Sequence, residues 1–285
     1  MHDWRALTKA QLDWNYDQRP HAPNMVQVLE RLATAGAQAQ ARLCCRQRLT
    51  YGSTEIEALD WYACGQAQAP VLFFIHGGAW RSGQARDYAF FVEWMLAEGV
   101  DVVIPDFAAV QEVGGDLGVL HRQLAQALHL VSSRLQGSGR LIHLCGHSSG
   151  AHLAACLATS PGAVPGICSL TLCSGLYELE PVSLSSRSQY VNFTPACVEA
   201  LSPQRHVQSL QRMSLPVTVL CGTQESPEFM RQSQAFHAAL QAAALPSRLV
   251  MGEGMNHFDI LESLAGPTGL LAKQLRKAWA ADALA

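Results

Sequence analysis

The sequence predicts an α/β fold, a mostly parallel central sheet flanked by helices on both faces. Short β-branched and apolar runs alternate with longer helix-like segments, and the punctuation between them is regular. A chain of 285 residues, 49% of them hydrophobic, is also long enough to bury one large core. A single domain over 1–285 is therefore expected.

The elements follow in order. "RQRLTYG" from Arg46 and "IEALDWYAC" from Ile56 suit an antiparallel hairpin at the sheet edge. Strands are expected at 69–76, 100–105, 140–146, 166–175, 215–222 and 247–252. Helices should lie near 87–98, 117–135, 151–159, 227–243 and 267–280. Two stretches break the rhythm. The N-terminal forty or so residues do, although "ATAGAQAQARL" from Ala33 reads as helical, and so does 176–213, rich in Ser, Pro and Tyr. Insertions after strands crown the ligand end of an open sheet, so 1–45 and 176–213 are expected to be cap elements.

A net charge of −3 with 15% charged residues offers no basic patch for nucleic acid. The first twenty residues lack a basic flank followed by an apolar core, and no later run approaches a membrane span. A soluble, cytoplasmic protein is the expectation. Nine cysteines form no Cys-x-x-Cys pair. Cys145, Cys156, Cys168, Cys173 and Cys221 read as small core hydrophobes, whereas Cys44-Cys45 is more polar in context. Eleven histidines show no ligand spacing, His147 and His152 being five apart, so no metal is expected.

Chemistry enters at "HLCGHSSGAHLAA", whose centre, Gly146-His147-Ser148-Ser149-Gly150, fits Gly-x-Ser-x-Gly. A strand turning sharply into a helix strains the turning residue and needs nearly side-chain-free neighbours two positions away, leaving Ser148 exposed. A serine hydroxyl is a weak nucleophile until a base accepts its proton and a third group fixes that base. Where this turn serves hydrolysis, in α/β-hydrolases, the chain order is Ser, acid, His. Glu225 in "CGTQESPEF" lies beyond a strand end, and His257 in "GEGMNHFDILE" lies in the loop after the last strand. Asp259, Glu228 and Asp106 are the alternative acids; position after the strand favours Glu225. In "FFIHGGAWRSG", glycines would turn backbone N–H groups toward a bound carbonyl, and the N–H of Ser149 would complete the oxyanion hole.

With His-Gly-Gly-x-Trp at 76–80, "GHSSGAHLAA", "SGLYELEP", Ser202-Pro203, "ESPEFMRQSQAF" and "NHFDILE", the chain resembles the kynurenine formamidases (arylformamidases) and their bacterial esterase-like relatives. The resemblance implies an α/β-hydrolase fold with small cap elements and assigns the oxyanion donors to the amides of Gly78 and Ala79. It also implies an aspartate where Glu225 stands, a departure that bears on substrate identity more than on reaction type. The expected activity is serine-dependent cleavage of a small formyl or acyl amide or ester. An aryl formamide such as N-formylkynurenine is the first choice, a general carboxylesterase the alternative, and a silent ligand-binding homologue a third. No cofactor is required, the partner is a small-molecule substrate, and a homodimer stays open. Trp80, Tyr177, Trp14 and Tyr16 either wall an aromatic pocket or pack ordinarily.

Overall fold

The computed structural model describes residues 3–162, 164–213 and 215–282; Met1 and His2 of the expected N-terminal cap element lie outside them. Two helices, α1 (Lys9–Tyr16) and α2 (Met25–Arg42), precede the hairpin β1 (Arg46–Thr50) and β2 (Ala58–Tyr62). Then come β3 (Val71–Ile75), α3 (Val92–Ala97), β4 (Asp101–Pro105), α4 (Leu117–Leu135), β5 (Ile142–His147), α5 (Ser149–Thr159) and β6 (Ile167–Cys173). Short helices α6 (Glu180–Ser183) and α7 (Pro195–Ala200) interrupt the next connection. The chain closes with β7 (Val217–Gly222), α8 (Pro227–Ala242), β8 (Ser247–Gly252), α9 (Asp259–Glu262) and α10 (Leu270–Asp282).

Among the described residues all the strands join one eight-stranded sheet in the order β1-β2-β4-β3-β5-β6-β7-β8. The β1–β2 and β2–β4 pairs are antiparallel and the rest parallel, so the hairpin forms an edge as its pattern requires. Side chains alternate across the sheet. Val71, Phe73 and Ile75 pack with α4, α5 and α8 on one face, and Leu72 and Phe74 with α2, α3 and α10 on the other. Each such fully buried side chain stabilises the fold by about 1.5–3 kcal/mol.

Differences from expectation have local causes. The helix expected over 87–98 is a 3₁₀ helix, Ala85–Phe91, running into α3. A 3₁₀ turn eclipses residues three apart, which puts both Tyr88 and Phe91 against Phe74 at ring distances of 5.9 and 5.0 Å. The N-terminal helix begins at Met25, earlier than expected. Helix α1 was not expected; the Thr8 hydroxyl and Gln11 side chain cap its start reciprocally. The last helix starts at Leu270, and α9 precedes it. Cys145, Cys156, Cys173 and Cys221 are buried, but Cys168 is only half-buried, against expectation, because the first residues of β6 precede its pairing with β7, which begins at Leu170. Among the described residues no helix is long and apolar enough to cross a membrane.

Candidate active site

Strand β5 ends at His147 and α5 begins at Ser149, so the chain reverses on Ser148 alone, at φ 56° and ψ −123°. That is a strained conformation for a residue with a side chain. The turn closes only because its flanks have none. A Cβ at Gly146 would stand 2.3 Å from the Gly150 carbonyl oxygen, and one at Gly150 would stand 2.1 Å from that of Ile75. The Ser148 N–H bonds to the Cys173 carbonyl, fixing the turn to β6. Ser148 is 6% exposed, which corrects the expectation of an exposed side chain. The backbone at Gly77 lies against it, since a Cβ there would be 3.2 Å from Ser148 Cβ, and His257 covers its hydroxyl.

The ends of β7 and β8 supply the other two groups. His257 Nε2 lies 2.9 Å from Ser148 Oγ, and His257 Nδ1 lies 2.7 Å from Glu225 Oε2. A carboxylate at Nδ1 holds the ring proton there and leaves Nε2 to accept from the serine. The extra methylene of glutamate is taken up by folding back onto the strand end, where Oε1 accepts from the Gly222 N–H at 2.8 Å and the Ser174 hydroxyl at 2.5 Å. Burial opposes ionisation of Glu225. The His257 charge and hydrogen bond, with those of Ser174 and Gly222, nevertheless hold its carboxyl below the ordinary value.

The alternative acids are committed elsewhere. Asp259 accepts from Asn24 Nδ2 and the Asn256 N–H, Glu228 pairs with Arg231, and Asp106 accepts from the Ala85 N–H and pairs with Arg48. The sequence reading missed four supports. Ser174 holds Glu225. His147 donates from Nε2 to the His257 carbonyl at 3.0 Å, and burial, then the nearby His257, lowers its pKa to about 3. Asn24 and Asn256 bond to each other and to the His257 loop. Only Asn256, next to the histidine, left a local signal.

The loop after β3 lies beside Ser148. Gly78, Ala79 and Trp80 all have positive φ, at 116°, 54° and 62°. Among the described residues the N–H groups of Gly78 and Ala79 find no acceptor, and Ser149, first in its helix, has an N–H with none in the helix. The loop is pinned through Trp80, whose indole N–H donates to His152 Nδ1 while His152 Nε2–H donates to the Leu201 carbonyl. Burial lowers the His152 pKa to about 4, so the ring keeps one nitrogen as acceptor. Trp80, Tyr177 and Tyr16 are all buried in the core. Tyr177 stacks on Phe236 with centroids 4.2 Å apart, and the Tyr16 hydroxyl donates to Glu228. Trp14 is 49% exposed.

A hydroxyl, imidazole and carboxylate in relay at the strand ends of such a sheet, with free amides beside the hydroxyl, define an α/β-hydrolase. The protein-family model BD-FAE matches residues 59–164. The kynurenine formamidase of Danio rerio is 27% identical over 97% of this chain and 98% of its own. Esterase LipC of Mycobacterium tuberculosis (strain ATCC 25618 / H37Rv) is 26% identical over 82% of this chain and 65% of its own. The crystal structure of a candidate thioesterase from Silicibacter sp. tm1040 superposes with a TM-score of 0.80, 23% identity, and coverage of 92% of this chain and 97% of that one. The chain is thus a kynurenine formamidase-like α/β-hydrolase with esterase relatives.

Proposed function

We propose that the chain is a serine hydrolase that cleaves a small formyl or acyl amide, most simply an aryl formamide such as N-formylkynurenine, releasing the arylamine and formate. The observation that carries this reading is the Ser148–His257–Glu225 relay beside the amides of Gly78, Ala79 and Ser149, which are unpartnered among the described residues. Ser148 Oγ attacks the carbonyl carbon as His257 Nε2 takes the hydroxyl proton. Glu225 stabilises the resulting imidazolium, and the three amides receive the oxyanion. His257 then passes the proton to the departing nitrogen, and water, activated by the same imidazole, releases the acid from Ser148.

The same groups cleave activated esters, and the relation to esterase LipC favours that as the second reading. Comparing kcat/KM for N-formylkynurenine with short 4-nitrophenyl esters decides between them. A fluorophosphonate probe tests both against a silent binding module, which would leave Ser148 unlabelled.

A further inference from the structure

The 3₁₀ helix Ser186–Gln189 of the cap carries Arg187, which is only 7% exposed. Arginine stays protonated in proteins, and a buried charge costs much stability unless a partner compensates it. Among the described residues no carboxylate forms an ion pair with Arg187. Its Nη2 donates to the Tyr16 carbonyl at 3.0 Å, its Cζ stands 5.2 Å over the Trp80 ring, and its buried Nε finds no acceptor among the described residues. Asp17, whose carboxylate feels this charge, spends both oxygens on Arg19. A guanidinium held over an indole with donors to spare is arranged to take a planar anion in a forked pair.

Its position ties that anion to the reaction. On one side Arg187 touches Trp80, the residue following the Ala79 amide. On the other it holds Tyr16, whose ring packs on Phe229, which in turn meets the His257 ring edge-on at 5.0 Å. We propose that Arg187 binds a carboxylate carried by the substrate and makes this hydrolase selective for carboxylate-bearing acyl or aryl substrates. The proposal rests on the hydrolytic reading of Ser148, but not on whether an amide or an ester is cleaved.

The test uses matched pairs on the full-length protein: N-formylkynurenine against its carboxamide, and mono-4-nitrophenyl glutarate against 4-nitrophenyl butyrate. Wild type should prefer the carboxylate-bearing member of the pair it cleaves. Arg187→Gln should lose about 10- to 100-fold in kcat/KM on that member, mostly through KM, and about threefold or less on the one without a carboxylate. Arg187→Lys should fall between. Turnover of the member without a carboxylate doubles as a folding control. Should Arg187→Gln not fold, inhibition of butyrate hydrolysis in wild type by benzoate but not benzamide, weakened in Arg187→Lys, carries the proposal. Equal losses on both members, or no wild-type preference and no benzoate inhibition, would make Arg187 a strut between Tyr16 and Trp80 and overturn it. Ester cleavage without formamide cleavage would defeat the proposed function and leave the anion site standing.

Discussion

The Ser174 hydroxyl donates to Glu225 Oε1 at 2.5 Å, leaving Oε2 to His257, so the acid is gripped at both oxygens across the ends of β6 and β7. Ser174→Ala removes a hydrogen bond to a charged group and should lower kcat about 10- to 100-fold with little change in KM. Steady-state kinetics on a 4-nitrophenyl ester would check this; unchanged kcat would show that Gly222 alone orients the carboxylate.

Glu225 also links stability to pH. Its folded pKa is depressed, so its contribution is fully present above the ordinary glutamate value of about 4.3 and is lost as pH falls through the lower, folded value. The stability gap between wild type and Glu225→Gln should be largest near neutrality and close in acid. Urea unfolding of both proteins across that range would measure it, and a gap constant with pH would contradict the sign.

Ser148→Ala should lower kcat by about 10⁴ to 10⁶ while leaving the fold intact, since the variant deletes only the hydroxyl facing His257. Ser149→Ala should retain most activity, because the oxyanion donor proposed there is the backbone N–H, which alanine keeps. The reverse ranking would move the nucleophile.

At the acid, Glu225→Gln should cost up to about 10⁴ in kcat, and Glu225→Asp much less. Asp259→Asn and Glu228→Gln should keep most of the turnover. Glu228→Gln should nevertheless melt earlier, because it leaves Arg231 unpaired in a buried site. Collapse of kcat in Asp259→Asn with normal Glu225→Gln would transfer the role to Asp259.

Gly150→Ala should destabilise the protein by about 1–3 kcal/mol or prevent folding, because its Cβ would lie 2.1 Å from a backbone oxygen of β3 that cannot yield. Thermal melts would show it. A stable, active variant would mean that the turn relaxes more than its packing allows.

The strands were legible because buried parallel strands read as apolar runs. The relay was legible because Ser148, Glu225 and His257 each follow such a run in the order this chemistry uses. Ser174 stands out only as part of a resemblance: nothing local marks a serine that holds a carboxylate 51 residues away. Asn24 and Arg187 were invisible for the same reason, their partners being brought together only by tertiary packing. Helix α1 stayed hidden because its polar sequence has no marked apolar face, and its stability comes from Asn15 and Tyr16 bonding to Glu228.

The segment from Asn15 to Asn24 reaches both loops of the relay: Gln18 donates to Ser226 beside the acid, and Asn24 to Asp259 beside the base. These partners are separated by 208 and 235 residues. At roughly 5–20 residues per second, the ribosome releases the first member of each pair about 10–45 s before the second. The nascent chain therefore carries its clamp long before it has anything to hold. Hydrolytic competence therefore waits for β7, β8 and the loops that follow them, which must pack against a segment made at the start.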